Sequence, residues 1–413
     1  MIKLQSLAED LLGADLPIGF RAYDGSRMGP SNPTASIVVH SSKALRYIAT
    51  SPGQLGFARA YITGEVDLEG DIYEIINIQS RLPIVKLNFA QFIKALKILG
   101  LSNLRPLPPP PEEIKKQWAF RHSLRRDSAT VSHHYDVSNA FYRLVLGPSM
   151  TYSCAVFESK SDTLEKAQEN KYELICKKLS LKAGERLLDI GCGWGGMAIH
   201  AARHYGVNVV AVTVSKNQME LARQRVSEEG LSEQVEIRLQ DYREIDDGPF
   251  DAVSSIGMFE HVGLAQIRDY FSGIYALLAP GGRLLNHAIS RWPGQKARMM
   301  RGGFMDHYVF PDAEVHEVGT VISSLQQAGF EARHMEDLRE HYALTLQHWV
   351  KNLENNWAEA VATSSEARAR IWKLYMAGCA TIFAQDRLRI HQVLAVKNRL
   401  PGGTNDLPLR PNW

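Results

Sequence analysis

The sequence has few of the features that would fix its class at once. Four cysteines in 413 residues, none in a CxxC pair, give neither a disulfide framework nor a zinc-site spacing, so reduced thiols and no metal are expected. No run of about eighteen apolar residues occurs, so no transmembrane helix is expected. The N-terminus MIKLQSLAEDLLGADLP carries acids and lacks the long apolar stretch of a secretory signal. A net charge of +2 is too small to suggest a nucleic-acid partner. Low-complexity sequence is confined to the prolines at Leu107–Pro111, and there is no internal repeat. What remains, 45% apolar and 22% charged residues, is an ordinary folded composition in a chain long enough for two cores.

The proline run cannot continue a helix and reads as a stiff linker. Before it, short strand-like runs (Ala35–His40, Ala58–Ile62) mix with turns such as Asp24-Gly25. We therefore expect a smaller α+β accessory domain over residues 1–125 and a second domain over 126–413. In the second, Leu164–Leu179 reads as a helix and Glu185–Ile190 as a strand. Met197–Tyr205, Val207–Val214 and Gln218–Glu229 continue the alternation, and Val235–Leu239, Phe250–Ile256 and Gly282–Ile289 add strands. Such alternation predicts α/β architecture, a doubly wound, mainly parallel sheet of Rossmann-like type.

The most informative stretch is LLDIGCGWGG, Leu187–Gly196. An apolar strand runs into Gly191, Gly193, Gly195 and Gly196 and then into a helix, so backbone and helix N-terminus can approach a ligand closely. The spacing alone also fits a dinucleotide site, or a loop that merely turns the chain. A dinucleotide site expects an acid about 20 residues on for the ribose. Here the second strand ends Thr213-Val214-Ser215-Lys216-Asn217-Gln218, without one. Asp189, just before the glycines, suits instead the cationic amino group of a methionine moiety. Gln218 can still serve ribose hydroxyls. S-adenosylmethionine (SAM) is the expected cofactor.

DIGCGWGG, TVSKNQ and QDYRE (Gln240–Glu244) resemble successive cofactor-binding segments of the cyclopropane-fatty-acyl-phospholipid synthases and the related mycolic acid enzymes. Upstream, HYDVSNAFYRLVLGPSMTYSCAVFE (His134–Glu158) is similar to their entry segment. GMFEHVG (Gly257–Gly263), NHAI (Asn286–Ile289), HYALTLQHW (His341–Trp349) and YMAGCATIF (Tyr375–Phe383) follow in the same order. The resemblance spans about residues 125–395 and implies a class I SAM-methyltransferase fold. It places Tyr135, Tyr152 and Ser153 near the amino-acid end of the cofactor and Asp241 and Tyr242 near the adenine. Thr213 and Ser215 fall in the segment after the second strand. Gly147, in LGPSM, stands where these synthases usually have aspartate.

The reaction implied is methyl transfer to an acyl double bond, with proton loss closing a cyclopropane. An isolated alkene is a poor nucleophile and its carbocation is captured by water, so the site should be dry, apolar or aromatic, and fitted with one base. The resemblance implies that this base is a bound bicarbonate, held by Cys154, Glu260, His287, Tyr342 and the backbone of Ile289. Glu260 would either accept the proton of bicarbonate or orient His287. Cys379 matches a cysteine suspected of catalysis in the family, but it falls among Ala and Phe in a probable helix, where buried thiols are usually inert. The same carbocation can lead instead to a methylene or methyl-branched chain. A dinucleotide-dependent oxidoreductase and a lipid-transfer protein that keeps the fold are more distant readings.

An acyl acceptor implies membrane phospholipid as partner and a cytoplasmic protein peripherally bound to the inner face of the membrane. Leu87–Leu99 (LNFAQFIKALKIL), with Lys115, Lys116, Arg121, Arg125 and Arg126 beyond the prolines, reads either as an apolar surface flanked by cations or as a core helix and a solvated linker. A homodimer is compatible with the sequence and not specified by it.

Overall fold

The computed structural model describes residues 4–13, 16–51, 53–81, 100, 105–114, 138–295, 302–311, 314–399, 403, 405–411 and 413. The expected membrane-facing segment and its cations lie outside these residues, as do Tyr135 and the expected boundary at residue 125. Among the described residues no helix is long and apolar enough to cross a membrane.

The chain forms two compact units. One holds residues 1–115, 300–309 and 357–381, the other residues 116–299, 310–356 and 382–413, so no single cut separates them. The first contains a four-stranded sheet in the order β2-β1-β3-β4, from β1 (Gly19–Ala22), β2 (Arg27–Met28), β3 (Ala35–Val39) and β4 (Val66–Gly70). Helices Ser42–Thr50, Gln54–Ile62 and Ile72–Arg81 belong to it. Ala58–Ile62, read as a strand, lies in the helix Gln54–Ile62: three alternating apolar residues fit either period, and Ala58, Ala60, Tyr61 and Ile62 are all buried. Polar clamps tie the distant segments in. Glu113 accepts from Arg59 at 2.9 and 2.7 Å, contacts His307 at 2.9 Å and accepts from the Tyr308 hydroxyl at 2.8 Å. Arg370 donates to Asp67 at 2.6 Å.

The second unit is built on a seven-stranded sheet of order β10-β11-β9-β8-β5-β6-β7. Its strands are β5 (Arg186–Ile190), β6 (Asn208–Thr213), β7 (Val235–Leu239), β8 (Phe250–Ile256), β9 (Leu278–Ser290), β10 (Glu331–Asp337) and β11 (Arg389–Val396). β11 alone runs against its neighbours. Successive strand residues bury opposite faces. Leu187, Val209, Leu285 and Leu394 pack under helices Leu164–Lys178, Gly196–Tyr205 and Lys216–Glu228. Leu188, Val210, Leu284 and Val393 pack under Ile267–Leu277 and Val318–Gln327. Burial on both faces explains why the inner strands read as unbroken apolar runs. The order reverses between β5 and β8, the point where doubly wound sheets bind ligands beyond their strand ends.

Candidate active site

A cleft opens at that switch point. Tyr152, Ser153, Asp189, Gly191 and Gly193 line it from one side and Thr213, Gln218, Asp241 and Tyr242 from the other. Asp189 is buried and accepts from the Ser254 hydroxyl at 2.7 Å through Oδ1, while Oδ2 has no partner among the described residues. Burial pushes its carboxyl up to about 6, against the opposing pull of Ser254 and Lys171. A buried carboxylate oxygen without a donor is a place for a cationic ligand group. The glycine turn brings backbone close to the cleft. A Cβ on Gly196 would stand 2.1 Å from the Tyr172 hydroxyl, so the helix Gly196–Tyr205 can begin here only with glycine. Thr213 donates to Gln218 Oε1 at 2.7 Å, which leaves the amide nitrogen of Gln218 as its donor to a ligand. These residues fit the amino group, backbone-hugging moiety and ribose of SAM.

Of the expected cofactor residues, two fall off the cleft lining and one lines it while engaged by a neighbour. Gly195 and Ser215 do not line the cleft. Gly195 is the left-handed residue before helix Gly196–Tyr205, and Ser215 caps helix Lys216–Glu228 through the Gln218 amide. Asp241 does line it, but both of its oxygens accept from Arg243 at 2.8 Å.

Sequence reasoning missed Lys171, which also lines the cleft. It is 1% exposed, donates to Ser153 Oγ at 2.9 Å and sits 4.2 Å from the centre of the Tyr172 ring. Burial lowers its ammonium to about 7, opposed by the charges of Cys154 and Asp189. Because Nζ donates to Ser153 Oγ, the Ser153 hydroxyl keeps its own proton to donate. A signal was available. Leu164, Ala167, Lys171, Ile175 and Lys178 share one face of the helix Leu164–Lys178, so both lysines stand at core positions.

The proposed base-holding residues occupy the same unit. Cys154 is fully buried and donates to the Ala155 and Leu338 carbonyls at 3.2 and 3.7 Å, and burial pushes its thiol far up. Glu260, on the short helix Phe259–His261 after β8, is buried, and desolvation raises its carboxyl to about 7. Its Oε1 accepts from the Ile289 N–H at 2.6 Å and its Oε2 has no partner. The Ile289 donor expected to hold an anion is thus already taken by Glu260. Nor does Glu260 orient His287, whose Nδ1 meets Gln392 Nε2 at 3.1 Å while its Nε2 has no partner. His287 and Ile289 point to one face of β9, so the Glu260 anchor is one pleat from His287.

Aromatic rings run through this unit in sequence. Trp194 meets Tyr142 at 4.8 Å between centroids, Tyr142 meets Tyr152 at 6.1 Å and Tyr152 meets Trp349 at 5.3 Å. Trp349 then meets Tyr342 at 6.1 Å, and Tyr342 meets Phe383 at 4.7 Å. Tyr342, expected as a ligand-holding hydroxyl, is thus also part of this array. Cys379 falls in the other compact unit, with residues 1–115. Its thiol is pushed up to about 12 by burial alone. Among the described residues neither a base nor a cation lowers its pKa, as nucleophilic cysteines require.

Gly147 follows helix Asn139–Leu146 at φ 77° and ψ −174°, a conformation open essentially to glycine. A Cβ there would meet Glu165 Oε1 at 2.7 Å, and an aspartate would add a repelling carboxylate. The departure from the usual aspartate therefore answers to this backbone.

Residues 122–393, more than half of the chain, match the family described as mycolic acid cyclopropane synthetase. The chain belongs to this family. It is 43% identical over 407 residues to a probable fatty acid methyltransferase of Mycobacterium tuberculosis, covering 96% of this chain and 95% of the relative. Against the cyclopropane-fatty-acyl-phospholipid synthase of Escherichia coli K12 the identity is 37% over 261 residues, covering 63% of this chain and 66% of that one. Among solved structures, the mycolic acid cyclopropane synthase CmaA1 complexed with SAH and CTAB aligns with a TM-score of 0.61 at 34% identity, covering 65% of this chain and 98% of that one. The protein is a SAM-dependent methyltransferase of the cyclopropane synthase type of fold, and the cleft described above is where its residues fit the cofactor.

Proposed function

We propose that the protein methylates a cis double bond of a phospholipid-bound fatty acyl chain and closes a cyclopropane ring there. The observation that carries this reading is a set of buried, under-partnered polar groups in the same compact unit as an aromatic array. Glu260 Oε2 and His287 Nε2 are both desolvated and without partners among the described residues, an arrangement that costs stability unless it is filled. When bound, SAM supplies an electrophilic methyl group and bicarbonate supplies a base of low steric demand. Asp189 binds the cofactor's amino group, and Ser153 and Gln218 donate to its remaining polar atoms. The faces of Tyr152, Tyr342 and Trp349 favour the positive charge that develops on the alkene, and their burial excludes the water that would capture it. Glu260 Oε2 accepts the hydroxyl proton of the anion, and Lys171 lends the cluster positive charge. The acyl chain would come from the cytoplasmic face of a bilayer, to which the protein binds peripherally.

The name of the M. tuberculosis relative is equally compatible with a second reading, in which a hydride shift in the same carbocation is followed by proton loss from the transferred methyl, giving a methylene-branched chain. Bicarbonate dependence tests the base common to both. In carbonate-depleted buffer, turnover on unsaturated phospholipid vesicles should slow, and added bicarbonate should restore it without changing SAM affinity. A rate indifferent to bicarbonate, in protein verified to be free of the anion, removes bicarbonate from the account.

A further inference from the structure

His287, Gln392 and Glu336 form one row across three strands. Gln392 on β11 stands directly opposite His287 on β9 and directly opposite Glu336 on β10. Lys178, the last residue of the helix Leu164–Lys178, reaches down to this row and is completely buried. Its ammonium pairs with Glu336 and donates to Gln392 Oε1 at 2.7 Å. The other end of the same amide, Nε2, lies 3.1 Å from His287 Nδ1.

The hydrogen-bond inventory leaves one arrangement. An ammonium has three protons and no lone pair, so the amide atom facing it must be oxygen, and an amide flip would set N–H against N–H. With Oε1 fixed on Lys178, the group facing His287 is NH2, which only donates. His287 Nδ1 must therefore carry a lone pair. We propose that Lys178 and Gln392 are positioning residues that hold His287 in the tautomer with its proton on Nε2, the buried nitrogen that has no partner among the described residues. An uncharged ring is favoured as well. Burial, together with Lys171, Lys178 and His391 nearby, holds the imidazole well below its usual range.

His287 is then a fixed N–H donor and not a base. Whatever meets Nε2 must offer a lone pair, which selects an oxyanion or a carbonyl oxygen over any donor. The consequence for turnover rests on the bicarbonate reading above, whereas the tautomer does not.

The test is long-range proton–nitrogen NMR on the full chain with nitrogen-15-labelled histidine. The His287 signals are assigned as those missing from His287→Asn or, if that variant does not fold, as those moved by Lys178→Met. The wild-type protein near neutral pH should show a protonated Nε2 and an unprotonated Nδ1. A proton on Nδ1, or a doubly protonated ring, overturns the proposal. In Gln392→Glu the carboxylate has no proton to give His287, so the proton should move to Nδ1. With the Nε2 donor lost, kcat should fall roughly 10- to 100-fold, as when an outer-sphere partner of a functional histidine is removed, with KM for SAM unchanged. An unchanged tautomer in Gln392→Glu also overturns the lock. A moved proton with unchanged kcat supports the lock and removes His287 from the anion site of the previous section.

Discussion

Replacing Glu260 with alanine should lower turnover by about 10²–10⁴-fold, the usual contribution of a positioned acid–base group. SAM affinity should stay within error, because Glu260 is not part of the cofactor cleft. The substitution removes the unpartnered Oε2 and releases the Ile289 N–H held at 2.6 Å. Glu260→Gln separates these effects, since its amide oxygen keeps the bond to Ile289 and its NH2 cannot accept a proton. It should be nearly as slow and yet well folded. Its stability should also respond differently to pH. Burial places the Glu260 carboxyl at about 7 in the folded protein. An unfolded glutamate titrates near about 4.3. Between these values the folded state binds more protons than the unfolded state, so wild-type stability declines as pH rises through this window, with the full penalty above it. The thermal midpoint of Glu260→Gln relative to wild type should therefore be higher at about pH 8 than at about pH 5. Normal turnover in either variant would remove Glu260 from the reaction.

Asp189→Ala should weaken SAM binding by about 1.5–3 kcal/mol, the range for a hydrogen bond to a charged group. That corresponds to a dissociation constant raised on the order of 10- to 100-fold. Asp189→Asn should gain little, because its amide would place either a weak acceptor or an opposing N–H at the ammonium. The pH dependence tests the assignment again. The carboxyl stands at about 6 without ligand. A cation binds the ionised form, so wild-type affinity should fall as pH drops through about 6, and Asp189→Ala should lose that dependence. Titration calorimetry reads both effects. Equal affinities for the two proteins would place the amino group of the cofactor elsewhere.

The parts of this molecule written in local pattern were legible from sequence. The strand–glycine–helix turn at Asp189–Gly196 and the central strands β5, β6 and β8 declare themselves through apolar runs and punctuation. Glu260 and His287 stood out because their motifs lie at or just after strand ends, whereas Cys154, in a loop between two helices, stood out only through the motif around it. The antiparallel pair β10 and β11, separated in the chain by three helices, was not legible. β10 (EARHMED) is a largely polar edge strand, and β11 pairs with β9 about a hundred residues earlier. That strand pair carries Gln392 and Glu336, so the partner of His287 was hidden with it. Lys171 and Lys178 were missed for a related reason. A lysine in a helix normally lies in solvent, and only its phase relative to Leu164, Ala167 and Ile175 reveals that it points inward. The bond between the Ile289 N–H and Glu260 could not be anticipated, because a backbone N–H has no sequence signature and the contact is visible only in three dimensions.

The central claim is tested most directly by the product. Purified protein, SAM labelled with carbon-13 in its methyl group and vesicles of a cis-monounsaturated phospholipid are incubated with bicarbonate, and the released acyl chains are examined by mass spectrometry and NMR. The account predicts acyl chains heavier by one labelled CH2, with the label in a cyclopropane methylene and the olefinic protons gone. Label in a methyl or methylene branch, or none in the acyl chain at all, would contradict it.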